Sequence, residues 1–360
     1  MTIVKLKKRS IIFLLGVLLA LYFVTIKMVH MYVFSMNVHA GGLKDSSRST
    51  NQQIVKNECI EKATQWLSNL SVDPIELKKK GMKGKKHFVE KLFIFYQLYL
   101  HTADSEKKAM YRKILKQMLK ITENASYHLL ENNEVIFKSD IVSYVHACYL
   151  AEQLGFDAHN YKRHIREILP RIERHMPTRN VSIQMMLIHF LKGLSFETEY
   201  SIEHIFKNTL IYNIKRLGTI NVFDFEYNSY MLGVCHEIFA ISEYGKKKID
   251  LFTKEEKNYL QFVFKSSIEQ ILSSRDIRYL DLLAEMLVSL KYLDCENLPE
   301  YKRGIQFIIN HQNKNGSFGD YERFRAYFAQ QGVDIDIKWY LHTTAVCLWA
   351  LLVEDDERVC

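Results

Sequence analysis

Polar side chains set into otherwise apolar helical stretches are the residues of this chain best placed to do chemistry. His146, Tyr230, His236, Glu237, Asp281, Glu285 and His342 all sit in such stretches. An unpaired buried polar group costs about 1–3 kcal/mol, so each needs a partner, water or a ligand. Asp281 and Glu285 lie four residues apart, which puts both carboxyls on one helix face. That spacing suits a shared proton or cation. With His342 they form a candidate catalytic set for acid–base work. His146, Tyr230, His236, Glu237 and Asp336 form a candidate pocket lining. The competing expectation is a set of mutually hydrogen-bonded groups that only holds the fold together. His189 follows Leu187 and Ile188 on an apolar face and reads as a satisfied core histidine. No complete metal motif, nucleophile elbow or phosphate loop occurs, and the sequence names no cofactor.

Helical periodicity dominates the chain beyond residue 51. The pattern predicts helices over about 52–69, 87–102, 104–121, 139–154, 159–174, 180–194, 200–217, 226–243, 253–272, 276–293, 299–312 and 338–353. The four prolines, Pro74, Pro170, Pro177 and Pro299, fall at or near the gaps. Glycine and proline are scarce, at 14 and 4 residues in 360, and no alternating strand pattern appears, which argues against an all-β chain. Asp140, Asn180, Asp224, Asp276 and Asp336 each stand before a strongly apolar helix, where their side chains would cap it. Their spacing is roughly one helical hairpin. Every second helix is nearly all apolar and its partner is charged, the division expected of inner and outer helices. The fold class expected is therefore all-α, with helical hairpins stacked or arranged in a ring around a core. In a ring, residues near the inner helix starts, His146, Tyr230, Asp281 and His342 among them, would surround the mouth of a central pocket.

The formal charge is +8, but seven basic residues against Asp45 in the first fifty positions supply most of it. The body is nearly neutral, which counts against nucleic acid as a partner. A basic segment, 1–10, precedes an apolar stretch, 11–34, interrupted only by Lys27. This reads as a signal anchor spanning a membrane, or as a signal peptide cut before Gly41. Either way the positive flank keeps the N-terminus cytoplasmic and places the body outside the cytosol. Residues 35–51 read as a polar linker and 52–355 as the helical domain. Four Asn-x-Ser/Thr sequons begin at Asn69, Asn124, Asn180 and Asn315 and could carry glycans in a eukaryotic secretory protein. Six cysteines permit disulfides outside the cytosol, yet Cys148, Cys235 and Cys347 sit in apolar runs that suit buried thiols. The lysines from Lys78 to Lys91, with Gly81 and Gly84 among them, read as a solvated loop, the alternative being contact with phosphate or anionic lipid.

One segment is more specific. Arg303-Gly304, Phe307 and Gln312-Asn-Lys-Asn-Gly316-Ser317-Phe318-Gly319 resembles the QW repeat of squalene and terpenoid cyclases, with Phe318 where Trp is usual. The helix from His342-Thr343-Thr344-Ala345 to Leu351 is similar to the inner helix that follows that repeat. Protein prenyltransferase β-subunits have a similar turn and helix start. The resemblance is confined to motifs over about 303–352 and to a helix-pair rhythm over 139–352. It implies an (α/α)6 toroid and a lipid-like substrate; other toroids process carbohydrates or bind partners without catalysis, so a small-molecule or glycan ligand is expected. Aligning Thr344-Ala345 with the cyclases' acid motif puts His342 and Thr343 at its acidic positions, and Asp334-Ile335-Asp336 nearby is an incomplete match. Against the prenyltransferase zinc site, His342 matches the histidine, but Asp276-Ile277-Arg278 carries Arg where the ligand Cys belongs. Cys235-His236 is similar to the zinc-binding pair of lanthipeptide cyclases, without a matching second Cys.

Overall fold

A computed structural model of the chain describes residues 45–354 apart from Glu131 and Leu217. The basic segment expected at 1–10, the span expected at 11–34 and most of the linker expected at 35–51 lie outside the described residues. The chain divides into two units, Met1–Val55 and Lys56–Cys360, and the second carries the features below. Among the described residues the regular structure is helical and no strand forms; one isolated bridge joins Gln312 to Phe318 across a turn.

Fourteen α-helices are described: α1 (Asp45–Asn69), α2 (Pro74–Lys79), α3 (Gly84–His101), α4 (Ser105–Leu119), α5 (Glu134–Gln153), α6 (His159–His175), α7 (Val181–Gly193), α8 (Ile202–Ile205), α9 (Phe225–Ile241), α10 (Lys254–Ser274), α11 (Leu280–Tyr292), α12 (Pro299–Asn310), α13 (Arg325–Gln330) and α14 (Leu341–Val353). Six of them, α3, α5, α7, α9, α11 and α14, are the apolar ones. Each packs on the next, and α14 packs back on α3, so the succession of contacts returns to its start. Helices α4, α6 and α12 each pack against the apolar helix before them, and α10 packs against α12 and the apolar helix after it, α11. The contrast is chemical. In α14 eleven of thirteen residues are buried, whereas α6 buries only Tyr161, Ile165 and Ile172 along one stripe. No described helix is long and apolar enough to cross a membrane.

The segment resembling a QW repeat ties the two ends of the second unit together. The Gln312 amide donates to the Cys59 carbonyl of α1 at 2.8 Å and to the Gly316 carbonyl. Phe318 is fully buried, and its N–H donates to Thr344 Oγ1 of α14 at 3.0 Å. Gly316 has φ of 95°, and a Cβ there would lie 2.3 Å from the Lys62 carbonyl oxygen, so only glycine fits. Lys56 closes the same seam with a 2.6 Å ion pair to Glu354.

Several expectations need correction. Helix α1 starts at Asp45, inside the expected linker. Asp140 lies within α5, whose cap is Asn133, and faces Lys85 at 3.9 Å. Asp336 opens a π-turn, 336–340, and its carboxylate binds Arg325 rather than capping a helix. Asn180, Asp224 and Asp276 do cap, accepting N–H bonds from Ile183, Tyr227 and Arg278. The helix expected at 200–217 is broken into short turns. The cause is Glu237, which takes the N–H groups of Leu210 and Ile211 that a helix would use. Pro170 lies inside α6, not beside it. The lysine-rich stretch is not a loop throughout: Lys85, Lys86 and Lys91 belong to α3. Lys91 is buried and bonds the Leu70 carbonyl at 2.5 Å, and burial pushes it down to about 8. Cys59, Cys148, Cys235, Cys295 and Cys347 are buried free thiols.

Candidate functional site

Four of the apolar helices bring titratable side chains to one place. Helix α3 contributes His87 and Glu90, α9 contributes His236, α11 contributes Asp281 and Glu285, and α14 contributes His342. They form an alternating chain of imidazoles and carboxylates. His236 Nε2 lies 3.4 Å from Glu285 Oε2, and His342 Nε2 lies 3.6 Å from Glu285 Oε1. His342 Nδ1 lies 3.1 Å from Glu90 Oε1, and His87 Nδ1 lies 3.1 Å from Glu90 Oε2. Lys86, at 3.4 Å from Glu90, joins the end of the chain.

Local structure explains the placement. Asp276 caps the turn 277–279 that leads into α11, which sets Asp281 and Glu285 on its first turns. The π-turn 336–340 feeds straight into α14, so His342 stands one residue past it. Such single π-turns often mark functional positions. The Tyr321 hydroxyl bonds Thr343 Oγ1 at 2.8 Å, and its backbone N–H bonds the Tyr340 hydroxyl.

The charges sort cleanly. Burial alone would lower His342, but its contacts with Glu285 and Glu90 outweigh burial and raise it to about 10. Burial would raise Glu285, yet His236 and His342 outweigh it and bring Glu285 down to about 2. Glu90 is likewise held well below the ordinary carboxylate range, burial being outweighed by Lys86, His342 and His87. Asp281 goes the other way: burial pushes it up, and its neighbour Glu285 adds to that. So a charged imidazole lies between two ionised carboxylates, with a carboxyl of raised proton affinity alongside.

The satisfaction of these groups is incomplete. Glu285 keeps 2% and Glu90 12% of its side-chain surface. Glu90 Oε1 and Glu285 Oε2 are enclosed and lie within ion-pair range of imidazole nitrogens, but neither accepts a well-aligned hydrogen bond. His342 and His236 each keep about a third of their side-chain surface, 32% and 34%. Open space therefore lies beside the two histidines, next to carboxylate oxygens whose imidazole neighbours are not aligned for hydrogen bonding.

Beyond this chain, toward the C-terminal halves of the same helices, the interior is aromatic. Phe93, Phe239 and Trp349 meet edge-on or tilted, with ring centroids 4.6–4.8 Å apart. His146 belongs to this layer: it stacks on Phe190 at 4.1 Å, and burial brings it down to about 3. His189 also sits among aromatics and is lowered to about 4 by burial.

Other expected pocket residues lie elsewhere. Glu237 neighbours His236 in sequence but points about 100° around the helix. It is fully buried, bonds Ser182 and the 210–211 amides, and is raised by burial to about 7. Tyr230 donates to the Leu210 carbonyl and lines a separate cavity of about 460 Å³ near Gly218 and Asp224. Asp336 is tied to Arg325. Asp276, the acid aligned with the prenyltransferase zinc ligand, is engaged by Arg278 through two nitrogens. Among the described residues no group of three or more His, Cys, Asp or Glu side chains is arranged to hold a metal ion.

Glu90 and His87 are members that the sequence reading missed. Their signal was present: Glu90 stands four residues after Lys86 and within the apolar run Phe88–Leu98. No known protein family matches the chain, and neither a curated protein nor a solved structure does.

Proposed function

We propose that the body is an (α/α)6 toroid and an enzyme doing acid–base chemistry on a lipid-like substrate at its centre. The toroid reading is supported by the closed succession of six apolar helices, with partner helices outside. One observation carries the enzyme reading: buried carboxylate oxygens that accept no well-aligned hydrogen bond stand beside two imidazoles that retain open space. A purely structural ion-pair network would be closed, because half-satisfied buried charge is costly. Asp281, whose proton affinity burial raises, is the general acid. Glu285 and Glu90 fix the His342 imidazolium, which stabilises negative charge or returns a proton to Asp281. Pairs of carboxyls driven apart in proton affinity are how one site supplies both acid and base. The aromatic faces of Phe93, Phe239 and Trp349 suit an apolar substrate body.

The apolar stretch at 11–34 tethers this domain to a membrane, with the body outside the cytosol. Cleavage before Gly41 would instead release it. A second reading, a partner-binding toroid without catalysis, draws on the aromatic layer that fills the C-terminal side of the helices. A carbohydrate substrate remains the alternative for the same carboxyl pair. The test is product formation by the full-length chain from a membrane lipid extract, followed by mass spectrometry. A product made by the wild type and reduced at least ~100-fold by Asp281→Asn supports the enzyme. No product from either lipids or glycans, or equal product from Asp281→Asn, overturns it.

A further inference from the structure

A second cavity, of about 290 Å³, opens at the C-terminal ends of α3, α5 and α11. It shares Phe93 and His146 with the aromatic layer, and none of the residues around His342 lines it. Its walls are the rings of Tyr96, His146, Tyr149, Tyr244 and Tyr292, and Lys246 stands on its lining. This is one of the more aromatic surfaces of the molecule, and it carries a single cation.

Three observations point to a ligand. First, His146 is only 8% exposed and makes no hydrogen bond among the described residues. One ring face is covered by Phe190, Phe93 and Tyr244 pack nearby at 5.6 and 6.1 Å, and the small surface left lines the cavity. A neutral imidazole there offers one donor and one acceptor. Second, Lys246 Nζ bonds only neutral acceptors, Gln153 Oε1 at 2.6 Å and the Tyr149 hydroxyl at 3.3 Å. Among the described residues no carboxylate comes within ion-pair distance; Glu243 acts on it through space. Third, the backbone is forced to build this wall. Glu243, Tyr244 and Gly245 have φ of 50°, 57° and 84°, three left-handed residues in a row. Non-glycine residues rarely adopt that conformation, and it concentrates at functional sites. It turns the Tyr244 ring to stack near Phe190 at 5.8 Å and carries Lys246 to the cavity. A Cβ at Gly245 would lie 2.4 Å from the Tyr292 ring.

We propose that this cavity binds a small planar aromatic acid, its carboxylate on Lys246 Nζ and its ring between the tyrosines and His146. The volume lies at the small end of ligand pockets, which limits the occupant to one or two fused rings. Flat faces on several sides favour an aromatic body over a branched one. An ammonium at the edge with no carboxylate within ion-pair distance among the described residues favours an anionic group. The proposal does not depend on the catalytic reading, because none of His342, Asp281, Glu285, Glu90 and His236 lines this cavity.

The probes are 2-naphthoate and its uncharged analogue 2-naphthalenemethanol, titrated into detergent-solubilised full-length chain by calorimetry against a micelle blank. We expect one saturable naphthoate site per chain and weaker binding of the alcohol. Lys246→Met should weaken naphthoate at least about tenfold and leave the alcohol unchanged, as loss of a charged hydrogen bond requires. Lys246→Arg should retain naphthoate binding, which separates charge from damage to the fold. No saturable naphthoate binding, equal affinity for acid and alcohol, or an unchanged affinity in Lys246→Met would overturn the proposal.

Discussion

Asp281 and Glu285 share one face of α11, yet their surroundings drive their protons in opposite directions. The difference is the company each keeps: Glu285 faces two imidazoles, whereas Asp281 meets burial and a neighbouring carboxylate. This predicts opposite mutational behaviour. Asp281→Asn replaces a carboxyl that has no ion-pair partner among the described residues with a neutral isostere and should leave the urea midpoint nearly unchanged while abolishing activity. Glu285→Gln removes the counterion of His236 and His342 and should cost about 3–5 kcal/mol in urea unfolding. The linkage with pH follows from the same shifts. His342 is raised from 6.5 to about 10, so its contribution to stability is complete below pH 6.5 and fades as pH rises toward 10. Glu285 is lowered from 4.5 to about 2, so its contribution is complete above pH 4.5 and fades as pH falls toward 2. The Tm gap between wild type and His342→Gln should be widest between those limits and shrink by pH 10; a gap that grows with pH contradicts the assignment. His342, Asp281, Glu285 and His236 were legible as polar intrusions in apolar helices. Glu90 was hidden because the lysines around it masked a buried helix start. Glu237 was misplaced because adjacency in sequence does not place two side chains on one helix face.

At the scale of elements, the apolar helices were readable from composition, but their caps and breaks were not all local. Asn133 and Asp140 are both good N-cap residue types, and only packing decides that α5 begins at the first. The break at 206–214 is imposed from α9 by Glu237, a tertiary contact that no local propensity encodes. Thr209 and Asn208 mark the turn, but they gave no reason to end a helix so soon. The turn from Gln312 to Gly319 was legible, and the structure supplies its physical task. Phe318 fills the seam between α1 and α14, so Phe318→Ala should cost about 3–5 kcal/mol in denaturant unfolding. Gly316→Ala should destabilise as well, because φ of 95° and the Lys62 carbonyl both oppose a Cβ. A Gly316→Ala protein as stable as the wild type would show that the seam yields.

At the scale of the whole molecule, most of the net positive charge precedes residue 51 and the rest of the chain is close to neutral. That distribution suits an address joined to a domain rather than a polyanion-binding surface. Protease added to the cytosolic side of intact membranes should leave the body undigested, and digestion would reverse the proposed topology. Closure of the helix succession, through α14 on α3 and Lys56 on Glu354, makes the last helix essential to all the others. A ring was one of the arrangements expected from the sequence, but which helices close the succession was not legible, because α3 and α14 lie at opposite ends of the domain.

The central claim is that a charged imidazole is held between two buried carboxylates where four helices meet. Its most direct test is an NMR titration of ring-labelled histidine in the full-length chain, with His342→Gln identifying the signal. The account predicts that the His342 ring stays protonated through pH 8, with a midpoint near 10. A midpoint near 6.5, the value of an unperturbed histidine, would contradict it.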